Sequence, residues 1–122
     1  MYKITTKIGK EIIVTPTPII KPHTSEQVAI LAYIHEVFGK DEPKALKVLS
    51  CENKGLRPNA VNINNDSHKS RDIGIFQINE YWQEVQAKFL FDWKVNILVA
   101  HQLYVESGNT FKLWSAGKCM GI

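Results

Sequence analysis

The sequence has few cysteines and none of the spacings that hold a structural metal. Its two cysteines are Cys51 and Cys119, and neither a Cys-x-x-Cys nor a His-x-x-x-His pattern occurs. We therefore expect no zinc site, no other metal and no cofactor. The histidines are scattered, which is more typical of surface or hydrogen-bonded residues than of ligands. From the residues alone, a pair of reduced thiols and a single disulfide both stay open.

Long apolar runs and a strong charge bias are also missing. No segment approaches the length needed to cross a bilayer, so we expect no transmembrane segment. The start, Met1-Tyr2-Lys3, is not followed by the apolar core of a signal peptide. The net charge of +3 is too small and too scattered to indicate nucleic-acid binding. It does suit the approach to an anionic polymer.

The first part of the chain differs in composition from the rest. In residues 1–24, apolar and polar residues alternate on both sides of Gly9-Lys10, which predicts a short β-hairpin. Pro16, Pro18 and Pro22 then favour an extended, stiff segment. This N-terminal extension is either a stalk or a segment that packs on the domain surface. Residues 25–122 are long enough for one domain with a single core.

The remaining patterns predict an α+β domain that is mainly helical. Helices are predicted over residues 24–38, 41–53 and 93–106, with a further helical stretch from 79 to about 90. The helix at 93–106 is apolar around much of its girth, so we expect it to be central and buried. Residues 57–76 are rich in β-branched residues, asparagines and turn formers, and predict a small antiparallel sheet beside a cleft. A short closing segment follows at 111–119.

Two carboxyl groups in different predicted environments are candidates for a catalytic pair. Ala45, Leu49 and Glu52 lie at i, i+4 and i+7 of a predicted helix, so Glu52 continues an apolar stripe in the last turn. Burial and the negative end of the helix dipole both favour a raised pKa for Glu52. Asp72, in contrast, lies in a polar, asparagine-rich turn region. Glycoside cleavage uses one protonated carboxylic acid and one carboxylate in such a pair of environments.

Several motifs together resemble the lysozyme-like superfamily, which includes animal-type (c-type) lysozymes and small bacterial or phage lytic transglycosylases of the soluble type. The resemblance covers about residues 25–122, and its motifs are Cys51-Glu52-Asn53, Asn59 to Asn64, Ser70 to Asn79, Tyr81-Trp82, Asn96-Ile97 and Trp114-Ser115-Ala116. The chain departs from the family in three ways. It has Asn53 where the family has Ser after the catalytic Glu, its turn through residues 66–69 is longer, and the four disulfides of c-type lysozymes are absent.

The resemblance implies a lysozyme-like fold and a role for each motif residue. Glu52 is then the general acid, and Asp72 is a nucleophile or an electrostatic stabiliser. The expected substrate-binding residues, which line the cleft, orient Asp72 or contact sugar rings, are Asn62, Asn64, Ser70, Gln77, Asn79, Trp82 and Trp114. The resemblance also implies a disulfide between Cys51 and Cys119, because these lysozymes link the helix with the catalytic Glu to the C-terminal segment.

The function implied is that of a muramidase, which hydrolyses the β-1,4 bond between N-acetylmuramic acid and N-acetylglucosamine in peptidoglycan. An antimicrobial lysozyme and a wall-remodelling enzyme both fit this activity. A lytic transglycosylase, which leaves 1,6-anhydromuramyl ends, and a catalytically inactive glycan-binding or regulatory module stay open. The expected partners are peptidoglycan glycan strands, and we expect a monomer that acts outside the cytoplasm, either secreted, periplasmic, or associated with a cell wall or virion.

Overall fold

The computed structural model describes residues 2–5, 11–14, 20–82 and 85–114. At the N-terminus, strands β1 (Tyr2–Thr5) and β2 (Glu11–Val14) pair antiparallel, with Ile4 opposite Ile12. They flank the turn predicted at Gly9-Lys10, which lies outside the described residues, as do Pro16 and Pro18. The division of the chain at residues 24 and 25 stays a prediction. Ile20 is nevertheless buried with the core of the following domain, at 6% exposure.

Two helices predicted in the first half of the chain are confirmed. Helix α1 spans Ser25–Phe38, and the Thr24 side chain accepts a hydrogen bond from the Gln27 backbone N–H, which caps its start. A short 3₁₀ helix, Gly39–Asp41, leads into α2, which spans Glu42–Glu52 with Pro43 in its first turn. Proline is tolerated there because its missing N–H has no partner within the helix.

A three-stranded antiparallel sheet follows α2 and gives the chain its α+β character. Its strands are β3 (Val61–Ile63), β4 (Arg71–Ile73) and β5 (Ile78–Asn79), in the order β3-β4-β5. In the register of this sheet, Asp72 lies opposite Asn62 on one side and Asn79 on the other. The central strand therefore carries a carboxylate between two amide side chains.

The helix predicted from residue 79 to about 90 is wrong. Asn79 belongs to β5, a 3₁₀ helix covers Glu80–Trp82, and α3 is confined to Ala87–Leu90. The Asn79 side chain accepts a hydrogen bond from the Tyr81 backbone N–H at 3.0 Å, which forms an Asx turn where the strand ends. The pairing of Asn79 with Asp72 thus prevailed over the local helical pattern.

Helix α4 (Trp93–Glu106) is confirmed, with Asp92 capping its start, but it is not buried all around. The buried residues are Asn96, Ile97, Ala100 and Tyr104, whereas Leu98 is 48% exposed. Helix α4 packs against α1, and their buried faces meet the sheet and an aromatic cluster of Phe38, Phe76, Tyr104, Phe111 and Trp114. No helix in the described part of the chain is long and apolar enough to cross a membrane.

Candidate active site

A cleft of about 520 Å³ opens beside the three-stranded sheet, within the size range of roughly 300–1,000 Å³ that ligand pockets occupy. Its walls come from the end of α2, the sheet and its loops, α4 and the segment after it. The lining residues include both carboxyl groups singled out in the sequence, Glu52 and Asp72. Apolar side chains on the cleft wall belong to Ile78, Leu103, Leu113 and Trp114.

Glu52 is the last residue of α2, where it is half-buried. Leu49 and Ala45, one and two turns earlier on the same face, are fully buried. The face of α2 that packs on the core therefore ends at the cleft. This placement brings a carboxyl group to the cleft from a rigid helix.

Asp72 reaches the cleft from the middle of β4 and is held by two amides. Its Oδ1 accepts hydrogen bonds from Asn64 Nδ2 at 3.0 Å and from Asn79 Nδ2 at 3.1 Å. Both donors also line the cleft. Two amide donors from different elements restrict the rotation of the carboxylate.

Ser70 lies behind this pair of amides and is almost completely buried, at 2% exposure. Its Oγ accepts from Asn79 Nδ2 at 3.0 Å and from Asn64 Nδ2 at 3.3 Å. Ser70 is therefore connected to Asp72 through both asparagines, with no direct hydrogen bond needed.

Asp66 also belongs to this network, although the motifs in the sequence do not predict a role for it. Its Oδ1 accepts from the backbone N–H groups of His68 and Ser70, and its Oδ2 accepts from the Ser70 hydroxyl at 2.5 Å. The Ser70 hydroxyl, followed by the backbone bonds, lowers the pKa of Asp66 below its ordinary value. Asp66 precedes His68 by two residues and Ser70 by four. An Asp that accepts from backbone N–H groups shortly after it is typical of an Asx turn, and this is the sequence feature that could have indicated its role.

Gln77 lines the cleft, but its side-chain amide makes hydrogen bonds to other residues of the protein. Gln77 Nε2 donates to the backbone oxygens of Gly74 and Ala60 at 2.9 and 3.2 Å, and its Oε1 accepts from Asn62 Nδ2 at 2.6 Å. Asn62 is exposed and does not line the cleft, although it lies opposite Asp72 in the sheet. The structure thus bonds Asn62 to Gln77 in the β4–β5 turn, and a role for Asn62 in orienting Asp72 stays a prediction.

That turn is also attached to the helices on either side. Asn53, the residue after Glu52, donates from Nδ2 to the Arg57 carbonyl at 2.9 Å and to the Gly74 carbonyl at 3.3 Å. Asn96 of α4, which is fully buried, accepts from the Phe76 N–H and donates to the Ile73 and Leu90 carbonyls. These amides satisfy buried backbone groups that the sheet leaves unpaired.

Of the two tryptophans predicted at the site, the structure describes the side chain of Trp114 but not that of Trp82. Trp114 is 8% exposed, lines the cleft and donates from Nε1 to the Phe76 carbonyl at 2.7 Å. Trp82 is the last residue of the 3₁₀ helix after β5, and its side chain lies outside the described part of the structure. Its stacking on a sugar ring stays a prediction.

An ion pair joins the first residue of β4 to the residue that follows β5. Arg71 donates to Glu80 from Nε at 2.7 Å, from Nη2 at 2.9 Å and from its backbone N–H at 2.8 Å. The Arg71 side chain, with its charge, lowers the pKa of Glu80, and the same pairing raises the pKa of Arg71. The pair lies next to Asp72 in β4 and next to Asn79 in β5, so it links the strands that carry both residues.

Cys51 lies beside Glu52 in the last turn of α2, whereas Cys119 lies outside the described residues. The disulfide between them stays a prediction. Among the residues that the structure describes, no group of three or more His, Cys, Asp or Glu side chains is arranged to hold a metal ion.

Comparison with known proteins identifies no relative of the chain. No protein-family model, no curated protein and no solved structure matches it.

Proposed function

We propose that this protein is a muramidase that cleaves the β-1,4 bond between N-acetylmuramic acid and N-acetylglucosamine in peptidoglycan. The observation that carries the proposal is the presence of Glu52 and Asp72 on the walls of one cleft. Glu52 lies at the end of helix α2 and Asp72 lies in the central strand of the sheet, so two different elements position the two carboxyl groups. The motifs that resemble lysozymes contribute both residues.

Glu52 is the general acid in this proposal. It protonates the glycosidic oxygen as the bond to the anomeric carbon breaks, a contribution typically worth ~10²–10⁴-fold in rate. The burial of Ala45 and Leu49 beneath it supports this role, because the same helix face continues into the cleft. Trp114 and Leu113 line the same cleft and supply apolar surface there.

Asp72 is the carboxylate that supports the positive charge developing at the anomeric carbon, or that attacks it. The hydrogen bonds from Asn64 and Asn79 favour this role, since in the described part of the chain both amides hold the same carboxylate oxygen, Oδ1. Asn65, which also lines the cleft, offers a further amide for sugar hydroxyl or N-acetyl groups.

A lytic transglycosylase is the second candidate, and it shares the opening protonation by Glu52. The observation that favours it is the small number of cysteines, two in the whole chain, which resembles those bacterial enzymes more than c-type lysozymes. In that reaction the muramyl 6-hydroxyl takes the place of water. A catalytically inactive glycan-binding module is less well supported, because both carboxyl groups are present and face one cleft.

One experiment tests these candidates together. Purified peptidoglycan is digested with the full chain, and the products are analysed by mass spectrometry before and after borohydride reduction. Reducible ends at N-acetylmuramic acid are expected for a muramidase, whereas 1,6-anhydromuramyl ends identify a transglycosylase. Binding to peptidoglycan without any cleavage product would contradict both enzymatic proposals.

A further inference from the structure

The network behind Asp72 ends at Asp66, a residue in the loop between β3 and β4. Asp66 lines the cleft and accepts the Ser70 hydroxyl at 2.5 Å, the shortest contact in the network. Ser70 in turn accepts from Asn64 and Asn79, the same amides that hold Asp72. A continuous path of hydrogen bonds therefore runs from Asp66 to Asp72.

The direction of the bonds at Ser70 follows from Asp66, the first member of this path. A hydroxyl has a single hydrogen, and a carboxylate only accepts. Because the Ser70 hydrogen points to Asp66, Ser70 Oγ presents only lone pairs to Asn64 and Asn79. Each Nδ2 has two hydrogens, so each amide can donate one to Ser70 Oγ and one to Asp72 Oδ1.

We infer that Asp66 is a positioning residue for the proposed glycan cleavage. Its carboxylate orients the Ser70 hydroxyl, and Ser70 then reinforces the orientation in which both asparagines direct their N–H groups, and not their carbonyl oxygens, at Asp72. The inference rests on the proposed function, because it takes Asp72 to be the reacting carboxylate.

The surroundings of Asp66 support a charged state at neutral pH. The Ser70 hydroxyl and the backbone N–H groups of Ser70 and His68 lower its pKa, and His68 contributes a smaller attraction. The backbone bonds also hold Oδ1, so that only Oδ2 is left for the hydroxyl. Oδ1 of Asp66 thus binds the backbone of its own loop, whereas Oδ2 binds the Ser70 hydroxyl.

Asp66→Asn is the informative variant, because it keeps the shape and changes one bond direction. Its carbonyl oxygen still accepts from the backbone of His68 and Ser70. Its amide nitrogen now donates to Ser70 Oγ, so the Ser70 hydrogen must turn to Asn64 or Asn79, whose Nδ2 cannot accept it. Asn64 is expected to rotate, because the Tyr81 N–H holds the carbonyl oxygen of Asn79, and the rotation places the Asn64 carbonyl oxygen against Asp72.

The expected result is a fall in kcat of about tenfold to hundredfold on peptidoglycan, the size of effect that misplacing a catalytic group produces, with KM little changed. The thermal midpoint of unfolding should stay close to wild type. Glu36→Gln, which removes the same charge from an exposed position on α1, is the control and should keep wild-type kcat.

A double substitution separates positioning from a general effect of charge. In the Ser70→Ala background, no hydroxyl connects Asp66 to the asparagines, so Asp66→Asn should cause no further loss of kcat. The same loss with and without Ser70, or wild-type kcat in a folded Asp66→Asn protein, would overturn the inference.

A measurement that needs no activity completes the test. The side-chain NH₂ signals of Asn64 and Asn79 are followed by ¹⁵N NMR in wild type, Asp66→Asn and Glu36→Gln. Asp66→Asn should shift at least one of these signals and speed its hydrogen exchange, whereas Glu36→Gln should not. If the wild type cleaves no glycan, the proposed function fails and the NMR result alone decides the network. Unchanged signals in folded Asp66→Asn would overturn the inference in either case.

Discussion

The amide of Asn53 donates to the carbonyl oxygen of Gly74 at 3.3 Å, across the boundary between helix and sheet. Asn53 follows Glu52 directly, and Gly74 follows the strand that carries Asp72. Gly74 is also the acceptor for both the backbone N–H and the side-chain amide of Gln77. The distance between the two candidate carboxyl groups is therefore set partly by bonds at one glycine.

Gly74→Ala should destabilise the protein much more than Gly39→Ala. Both glycines have positive φ, +77° and +53°, but a Cβ at Gly74 would lie 2.4 Å from Asn96 Nδ2 and 2.7 Å from the Leu90 oxygen, whereas Gly39 has open space. We expect a loss of about 3 kcal/mol or more at Gly74, where steric overlap adds to left-handed strain, and about 1–2 kcal/mol at Gly39. Urea unfolding measures both, and equal losses would contradict the packing shown at Gly74.

Glu52→Gln should abolish glycan cleavage while the protein stays folded. The variant keeps the size and polarity of the side chain but cannot donate the acidic proton, so a loss of ~10²–10⁴-fold is expected. Release of soluble muropeptides measures the rate, and circular dichroism verifies the fold. Glu36→Gln on the exposed face of α1 is the matched control. Near wild-type cleavage by folded Glu52→Gln would eliminate Glu52 as the acid.

Asp72→Asn should distinguish hydrolysis from transglycosylation. In a muramidase, removing the charge that supports the anomeric centre should lower turnover by orders of magnitude, and the wild type should release reducing ends. In a transglycosylase, the N-acetyl group of the substrate can assist and its 6-hydroxyl can attack, so the loss should be milder. We expect the first outcome. A mild loss together with anhydromuramyl products would reassign the protein as a transglycosylase with Glu52 still as the acid.

Cys51 and Cys119 should be joined in protein isolated from an oxidising compartment. Closing so long a loop stabilises by about 4 kcal/mol in the chain-entropy model. Thiol titration in denaturant without reductant is expected to find no free thiol, and reduction should lower the thermal midpoint of unfolding. Detection of both thiols as free groups would refute the disulfide.

Glu80 should contribute stability that depends on pH. Arg71 lowers its pKa below the ordinary value of 4.5, so the folded state binds the proton less readily than the unfolded state does. The contribution is therefore fully present above about pH 4.5 and is lost as the pH falls through the lowered value. Glu80→Gln should have a lower thermal midpoint than wild type at pH 7, and this difference should shrink at pH 3. A difference that stays constant between these pH values would contradict the role of the pair.

Much of the helical framework could be predicted from local patterns. The starts of α1 and α4 follow from Thr24 and Asp92, whose side chains cap backbone N–H groups a few residues away. The position of Glu52 on the cleft side of α2 follows from the 3.6-residue period, because Ala45 and Leu49 on the same face are buried. Caps and periodicity act within a few residues, so the sequence displays them directly.

Other features depend on contacts between distant segments, which no local pattern records. Asn79 became a strand residue because it pairs with Asp72, although the residues after it favoured a helix. The buried face of α4 contains Asn96, which bonds to the last residue of β4, to the β4–β5 turn and to the end of α3, while the apolar Leu98 faces solvent. The direction of the bonds from Asp66 through Ser70 to Asp72 likewise required three chain segments to meet. Motif spacing identified the two carboxyl groups, but burial, pairing and hydrogen-bond direction arise only when those segments pack together.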